Sequence, residues 1–296
     1  MHPAPSVIVF TVLSGAGFGL LAFLALGAVE VYGGAAFLLW GLGYGLTVAG
    51  LLASAFHLGN PSRALRAFTQ WRTSWLSREA WASAGALLLL VPVALAAILG
   101  GGLPGHFGFI GALACLVAVV STSMIYAQLK TVPRWNHWTT PALFLAFAAT
   151  SGAILSGQAR IAALACLVLG GLLIAAFRIG DGRFRAAGQT LSTATGLGKD
   201  GQVRQCAPAH TGPNYLTREM IHVVGRRHSA RLRIIAVVFA ALVPFLGLLV
   251  LPPVLPFMAA VFVVHLAGAF VARWLFFAEA EHVVGLYYGQ RQGIPV

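Results

Sequence analysis

Residues 57–81 read HLGNPSRALRAFTQWRTSWLSREAW and join one long apolar run, 34–56, to a second that begins at 79. The stretch holds four arginines, three tryptophans, a histidine and a glutamate, in a chain where 9% of residues are charged. Polar and ionisable groups at membrane depth are costly to place, which makes them functional candidates. Working outward, the rest of the 296-residue chain is dominated by apolar runs: 59% of residues are hydrophobic, and the mean hydropathy is +0.86. That composition belongs to a polytopic membrane protein rather than a water-soluble domain.

A spanning helix needs about 20 predominantly apolar residues. Eight runs qualify, at roughly 6–29, 34–56, 79–100, 106–128, 140–157, 161–177, 234–251 and 255–278. They are continuously apolar and lack the alternation of a membrane barrel. The expected fold is an all-α integral membrane protein, a bundle of eight transmembrane helices forming one membrane domain over 1–296. The opening MHPAPS carries no basic residue, so 6–29 reads as a retained helix and not a secretory signal.

Charge orients the bundle. The second loop holds Arg63, Arg66, Arg72 and Arg78, the fourth Lys130 and Arg134, and the sixth, about 178–233, ten basic residues. The first, third and seventh loops hold none, and the fifth only Arg160. Loops rich in Lys and Arg stay in the cytoplasm. Both termini are therefore expected on the cytoplasmic side of a bacterial inner membrane. The net charge of +12 is spread over one membrane face, which argues against nucleic acid as its partner.

Along the chain, Gly15 with Gly19 and Gly41 with Gly45 are small residues four apart, expected to let helices approach closely in lipid. The second helix should stop at Gly59 and Pro61, which leaves His57 in its last turn. Trp71 and Trp75, four apart, would share one face of an interfacial amphipathic helix. Ser77 is the expected N-cap of the third helix, with Glu79 in its first turn, where the helix dipole favours a carboxylate. His57 and Glu79 then share one membrane side and one depth. Such a pair can exchange two protons, and an apolar pocket with a few polar groups suits a quinone ring. Tyr126 and His137 are candidates to border the same pocket, and the last predicted helix ends in a second polar cluster of Glu279, Glu281 and His282.

Cys115 and Cys166 fall in apolar runs and Cys206 in the sixth loop, with no Cys-x-x-Cys pair, so no iron–sulfur cluster is expected in this chain. A haem is not expected either. Among nine histidines only His265 lies well inside a predicted helix, while His57 and His282 lie near helix ends.

The segments MHPAPSVIVFTVLSGAG, HLGNPSRALRAFTQWRTSWLSREAW, MIYAQLKTVPRWNHWTTP and HTGPNYLTREM resemble the DmsC family, the membrane anchor subunits of dimethyl sulfoxide reductase-type complexes. The resemblance spans nearly the whole chain. It implies eight transmembrane helices, a quinone or quinol site (menaquinone or ubiquinone) and two partners. These are a four-cluster iron–sulfur subunit and a molybdopterin catalytic subunit. The family's quinol-associated histidine and glutamate fall on His57 and Glu79. The expected site is His57, Trp71, Trp75, Arg78 and Glu79, with the tryptophans as walls and Arg78 tuning the charge of Glu79. The sixth loop becomes a docking surface. An anchor of this kind does no terminal redox chemistry. A cytoplasmic sulfite dehydrogenase-type complex that reduces quinone is the alternative, followed by a purely structural anchor and a transporter.

Overall fold

The computed structural model describes residues 1–56, 61–101, 105–197, 203–207, 209–221 and 228–289. Eight helical rods dominate, and no strand occurs among the described residues. The rods are α1 Pro5–Ala25, α2 Gly33–Ala55, α3 Trp75–Ile98, α4 Gly105–Ala127, α5 Thr139–Leu155, α6 Ala159–Ala186, α7 Ser229–Val250 and α8 Leu255–Ala278. All but α5 are long and apolar enough to cross a membrane; α5, with 17 residues, is shorter.

The most buried rod is α1, which packs against α2, α4, α5 and α8. It has no charged residue and is apolar all round, as a helix enclosed by others must be. On one side α2, α3 and α4 pack in sequence; on the other α5, α6, α7 and α8 close around each other. Large apolar side chains on the outer rods, such as Leu38, Leu88, Phe109, Leu164 and Leu249, are exposed. A spanning bundle turns such residues to lipid.

Glycine sets the close crossings, though not at all the expected positions. A Cβ on Gly19 would collide with the Ala148 carbonyl of α5, and one on Gly50 with the α1 backbone at Ser14 and Phe10. Gly17 faces Gly43 and Thr47 of α2. Gly15, Gly41 and Gly45, by contrast, face open space. The buried stripe of α2 is Ala36, Trp40, Gly43, Thr47 and Gly50, which follows the helical period, and Gly41 and Gly45 lie off it.

Rods α3 and α7 begin at Trp75 and Ser229 rather than at 79 and 234, and two other boundaries depart from the sequence reading for identifiable physical reasons. Rod α1 stops at Ala25 rather than 29, because Gly27 takes the left-handed conformation (φ 68°) that closes a helix. Rod α6 continues to Ala186 rather than 177, because its charged last turns are bonded: Asp181 to two arginines, Arg183 to the Pro133 and Asn136 carbonyls. The sixth loop is correspondingly shorter than 178–233. It contains a short helix Leu191–Thr195 and a single π turn Leu216–Met220; residues 222–227 lie outside the described residues, and from Ser229 the chain is already α7. The loop lies against this chain's own ends: Tyr287 Oη donates to the Ala194 carbonyl, Asn214 Nδ2 to Tyr288 Oη, and the His2 amide to the Glu219 carbonyl.

The α1–α5 crossing leaves no room for a side chain, and overpacking a filled contact costs about 1–3 kcal/mol. Gly19→Ala is therefore expected to lower the thermal unfolding midpoint of the detergent-purified protein, while Gly41→Ala leaves it unchanged. Equal midpoints for the two variants would remove the crossing from its central place in the fold.

Candidate functional site

The segment between α2 and α3 folds down onto the start of α3. After His57, which with Leu58, Gly59 and Asn60 lies outside the described residues, the chain forms a 3-10 turn over Pro61–Phe68. The ring of Phe68 stands edge-on to Trp81 at 5.3 Å, and Trp81 Nε1 donates to the Phe68 carbonyl at 2.9 Å. Arg78 holds the next stretch. Its Nε donates to the Trp71 carbonyl at 2.9 Å and its Nη2 to the Arg72 carbonyl at 2.7 Å, while its guanidinium lies 4.5 Å from the Trp75 ring centre. Trp71, Trp75 and Arg78 thus form one outer collar.

Glu79 faces the other way. Successive helical residues are turned about 100° apart and do not share a face. The N-cap of α3 is Ser74, so Glu79 sits in the second turn and not the first; Ser77, the expected cap, is the third helical residue, with its hydroxyl buried and unpartnered. The helix-dipole account of Glu79 is thereby overturned. Its carboxylate is buried against α4, where Ser83 Oγ donates to Oε1 at 3.4 Å and Thr122 Oγ1 approaches at 3.5 Å. Among the described residues no cation lies within salt-bridge distance of it. Arg78 is committed to the loop carbonyls instead.

Thr122 has one hydroxyl proton and two acceptors, since it also donates to the Ala118 carbonyl at 3.1 Å. As a carboxylate, Glu79 competes for that proton. As an acid, it donates to Thr122 Oγ1 while Thr122 keeps its backbone bond. Both protonation states have partners, as a group that gains and loses protons requires.

The loop before α5 packs beneath the collar's side of the bundle. Tyr126 is buried among Trp135, Phe144, Phe276 and Phe277, and Trp135 Nε1 donates to the Phe276 carbonyl. His137 is bonded to Thr139 Oγ1 at 3.1 Å. Burial, and then the Arg183 charge, hold its imidazole below the usual range. His282 is lowered likewise by burial and by the amino-terminal charge, and it accepts from the Val284 amide.

The Glu279 region is built more firmly than a helix terminus. Arg134 bonds Asp181 at 3.1 Å and Glu279 at 2.5 Å; Arg233 bonds the same Glu279 at 2.6 Å and Asp181 at 2.5 Å. Two arginines and two acids close a ring across the fourth loop, α6, α7 and the end of α8. They border a cavity of about 140 Å³. Arg233 is therefore an internal strut rather than a docking cation.

Two residues of these arrangements do not stand out from the sequence reading. Asp181 falls within the predicted sixth loop. Arg273, buried in α8, is a lone arginine inside an apolar run, and that alone is a sufficient signal.

A sequence profile described as DMSO reductase anchor subunit (DmsC) matches residues 1–289. The chain belongs to the DmsC family. It is a multi-pass membrane anchor subunit of the kind that associates with a catalytic molybdoenzyme complex. A sulfite dehydrogenase subunit from Allochromatium vinosum is 34% identical over 337 aligned positions, which cover 97% of this chain and 99% of that protein. No solved structure matches the chain.

Within this DmsC member, breaking a buried ion pair costs about 3–5 kcal/mol and an exposed one about 1 or less. The Glu279 side chain is 5% exposed and that of Asp181 53%. Glu279→Gln should lower the unfolding midpoint clearly and Asp181→Asn only slightly; the reverse order would show that the ring is anchored at α6 and not α8.

Proposed function

We propose that this anchor exchanges electrons between the quinone pool and a docked iron–sulfur subunit, with Glu79 as the proton-exchanging group of the quinone site. The observation that carries the reading is a buried carboxylate in a spanning helix, with no cation in salt-bridge distance among the described residues, held by two hydroxyls that can serve it in both protonation states. Such a group fits a ligand that brings or takes protons in an apolar setting. When bound, a quinone supplies the two-electron, two-proton chemistry. Glu79 holds or accepts one proton, His57 is its proposed counterpart at the end of α2, and the collar of Trp71, Trp75 and Arg78 covers the approach from the water side. The electrons leave to, or arrive from, the iron–sulfur partner, which in turn serves a molybdopterin catalytic subunit.

Glu79→Gln keeps the side chain's shape and removes its proton exchange. Loss of a positioned acid–base group costs typically 10²–10⁴-fold. In the assembled complex, quinone-coupled turnover should fall by about that factor, while turnover with a soluble electron carrier persists as the control for attachment. His57→Ala is expected to behave in the same sense. Full quinone-coupled turnover in both variants would leave a purely structural anchor.

A second reading concerns direction. The full-length match to a sulfite dehydrogenase subunit favours a complex that reduces quinone over one that oxidises quinol. Both place the soluble subunits on the basic face, which we assign to the cytoplasm from the loop charges. Cys206 is exposed in the sixth loop, while Cys115 and Cys166 are buried, so the native thiol is the reporter. A membrane-impermeant maleimide should label Cys206 only after the cells are opened. Ready labelling of intact cells would invert the topology.

A further inference from the structure

Arg273 lies in α8, five residues before its end, and is 5% exposed. Its guanidinium carbon is 3.7 Å from the ring centre of Phe144, with Phe147 and Phe276 at 5.5 and 5.6 Å. Three aromatic faces offset part of the charge, but they accept no ordinary hydrogen bond from its five N–H groups. Among the described residues no carboxylate reaches it and no protein group accepts from it. Tyr126, 8% exposed, packs on two of the same rings, Phe144 and Phe276, and its hydroxyl also has no protein partner among the described residues. Tyr126 stands one helical turn after Thr122 on the same buried face of α4, and Thr122 bonds Glu79 on that face.

Both residues are mostly buried and their polar atoms have no protein partner among the described residues, so water is left to bond them, around Arg273 above all. The space for it is present. Arg273 lines a cavity of about 40 Å³ together with Thr139, Thr140, Arg134 and Glu279, and a second of about 10 Å³ beside Ser151. Arg134 and Glu279 also line the 140 Å³ cavity of the ion ring. One water needs roughly 10–15 Å³ of such volume. The lining residues therefore run without a gap from Arg273 to the basic face.

We propose that these groups form a hydrated proton passage from Glu79, by way of Tyr126 and the water around Arg273, to the cavity of the Arg134–Asp181–Arg233–Glu279 ring. The proposal rests on the reading of Glu79 as the acid–base group of the quinone site. In the oxidising direction the hydroquinone gives up two protons and two electrons: Glu79 takes one proton and becomes the neutral acid, the proposed counterpart His57 takes the other, and the electron pair goes to the iron–sulfur partner. Neutralising Glu79 leaves the Arg273 charge less balanced, and its field drives a proton outward into the water of the ring cavity. Tyr126 accepts a proton on its Glu79 side as it donates one on the other, so its own state is restored. The reducing direction runs the same steps backward. Arg273 keeps its charge throughout and acts as a positioning residue.

Tyr126→Phe deletes one hydroxyl and preserves the aromatic packing; Arg273→Lys keeps the charge and loses the planar stack. Both are assayed in the assembled complex, with soluble-carrier turnover as the assembly control. Either variant should lower quinone-coupled kcat about tenfold or more, with KM for quinone unchanged and a larger solvent deuterium isotope effect. A second readout needs no quinone: the infrared C=O stretch of the protonated Glu79 carboxyl, identified as the band lost in Glu79→Gln, should exchange in D₂O more slowly in Tyr126→Phe. If Tyr126→Phe keeps the wild-type kcat and exchange rate, or changes KM alone, the passage is wrong while the quinone site stands. Should Tyr126→Phe not assemble, the same outcomes are read on Arg273→Lys. If Glu79→Gln itself keeps full quinone-coupled turnover, the site and the passage both fall.

Discussion

Hydrocarbon offers a buried charge nothing to bond to, so each ionisable group drawn into a helix bundle must find its compensation in the protein. Three solutions occur here. Glu279 is held by two arginines that also share Asp181. Glu79 is held by two hydroxyls and, among the described residues, by no cation. Arg273 is held by ring faces and by space that water can fill. The first solution ties one carboxylate to two arginines and, through them, to a second acid. The second offers hydroxyls that can partner either protonation state, which is what the proposed proton exchange at Glu79 requires. That difference separates the group that ties the bundle together from the group suited to chemistry.

The same constraint acts on the backbone. Pro244 in α7 has no N–H to return to the Ala240 carbonyl four residues earlier, and the rod passes through a π segment over Val238–Leu242. His265 of α8 supplies a donor: its Nδ1 lies 2.7 Å from the Ala240 carbonyl. A carbonyl only accepts, so Nδ1 carries the proton, and in the neutral ring Nε2 takes the Ser151 hydroxyl at 3.0 Å. The histidine that stands out in the sequence as the one deep inside a helix is thus engaged at both nitrogens in joining α5, α7 and α8.

The eight rods were legible because continuous apolar runs admit few other folds. Their ends were less so. Of the charges that make 178–186 look like a loop, Asp181 is paired with Arg134 and Arg233 and Arg183 is bonded to the Pro133 and Asn136 carbonyls, partners no local window contains. Of the glycines picked by four-residue spacing, Gly19 does sit at a close crossing, but Gly15, Gly41 and Gly45 face open space while Gly17, Gly43 and Gly50 make the α1–α2 contact, since a four-residue interval does not say which side of a helix is turned inward. At the site, residue identity was readable and orientation was not. Arg78 and Glu79 are adjacent in sequence, yet one grips the Trp71 and Arg72 carbonyls while the other turns to α4. Charge tuning by a sequence neighbour gives way to separation by about 100° of helical turn.

These placements bear on how an anchor couples its partners. The second loop carries the collar, the fourth carries Arg134 into the ion ring, and the sixth is tied to the residues following α8. All three lie on the face where basic residues accumulate. A soluble partner docking there rests on segments already bonded to the helices that hold Glu79 and Glu279. Rod α1, enclosed by α2, α4, α5 and α8, fixes the distance between those two groups through contacts with no side chain to yield, as at Gly19 against Ala148. The proton exchange proposed at Glu79 and the electron exchange proposed with a docked partner then ask for no movement of the bundle, since the groups they invoke are hydroxyls, water and carboxyls.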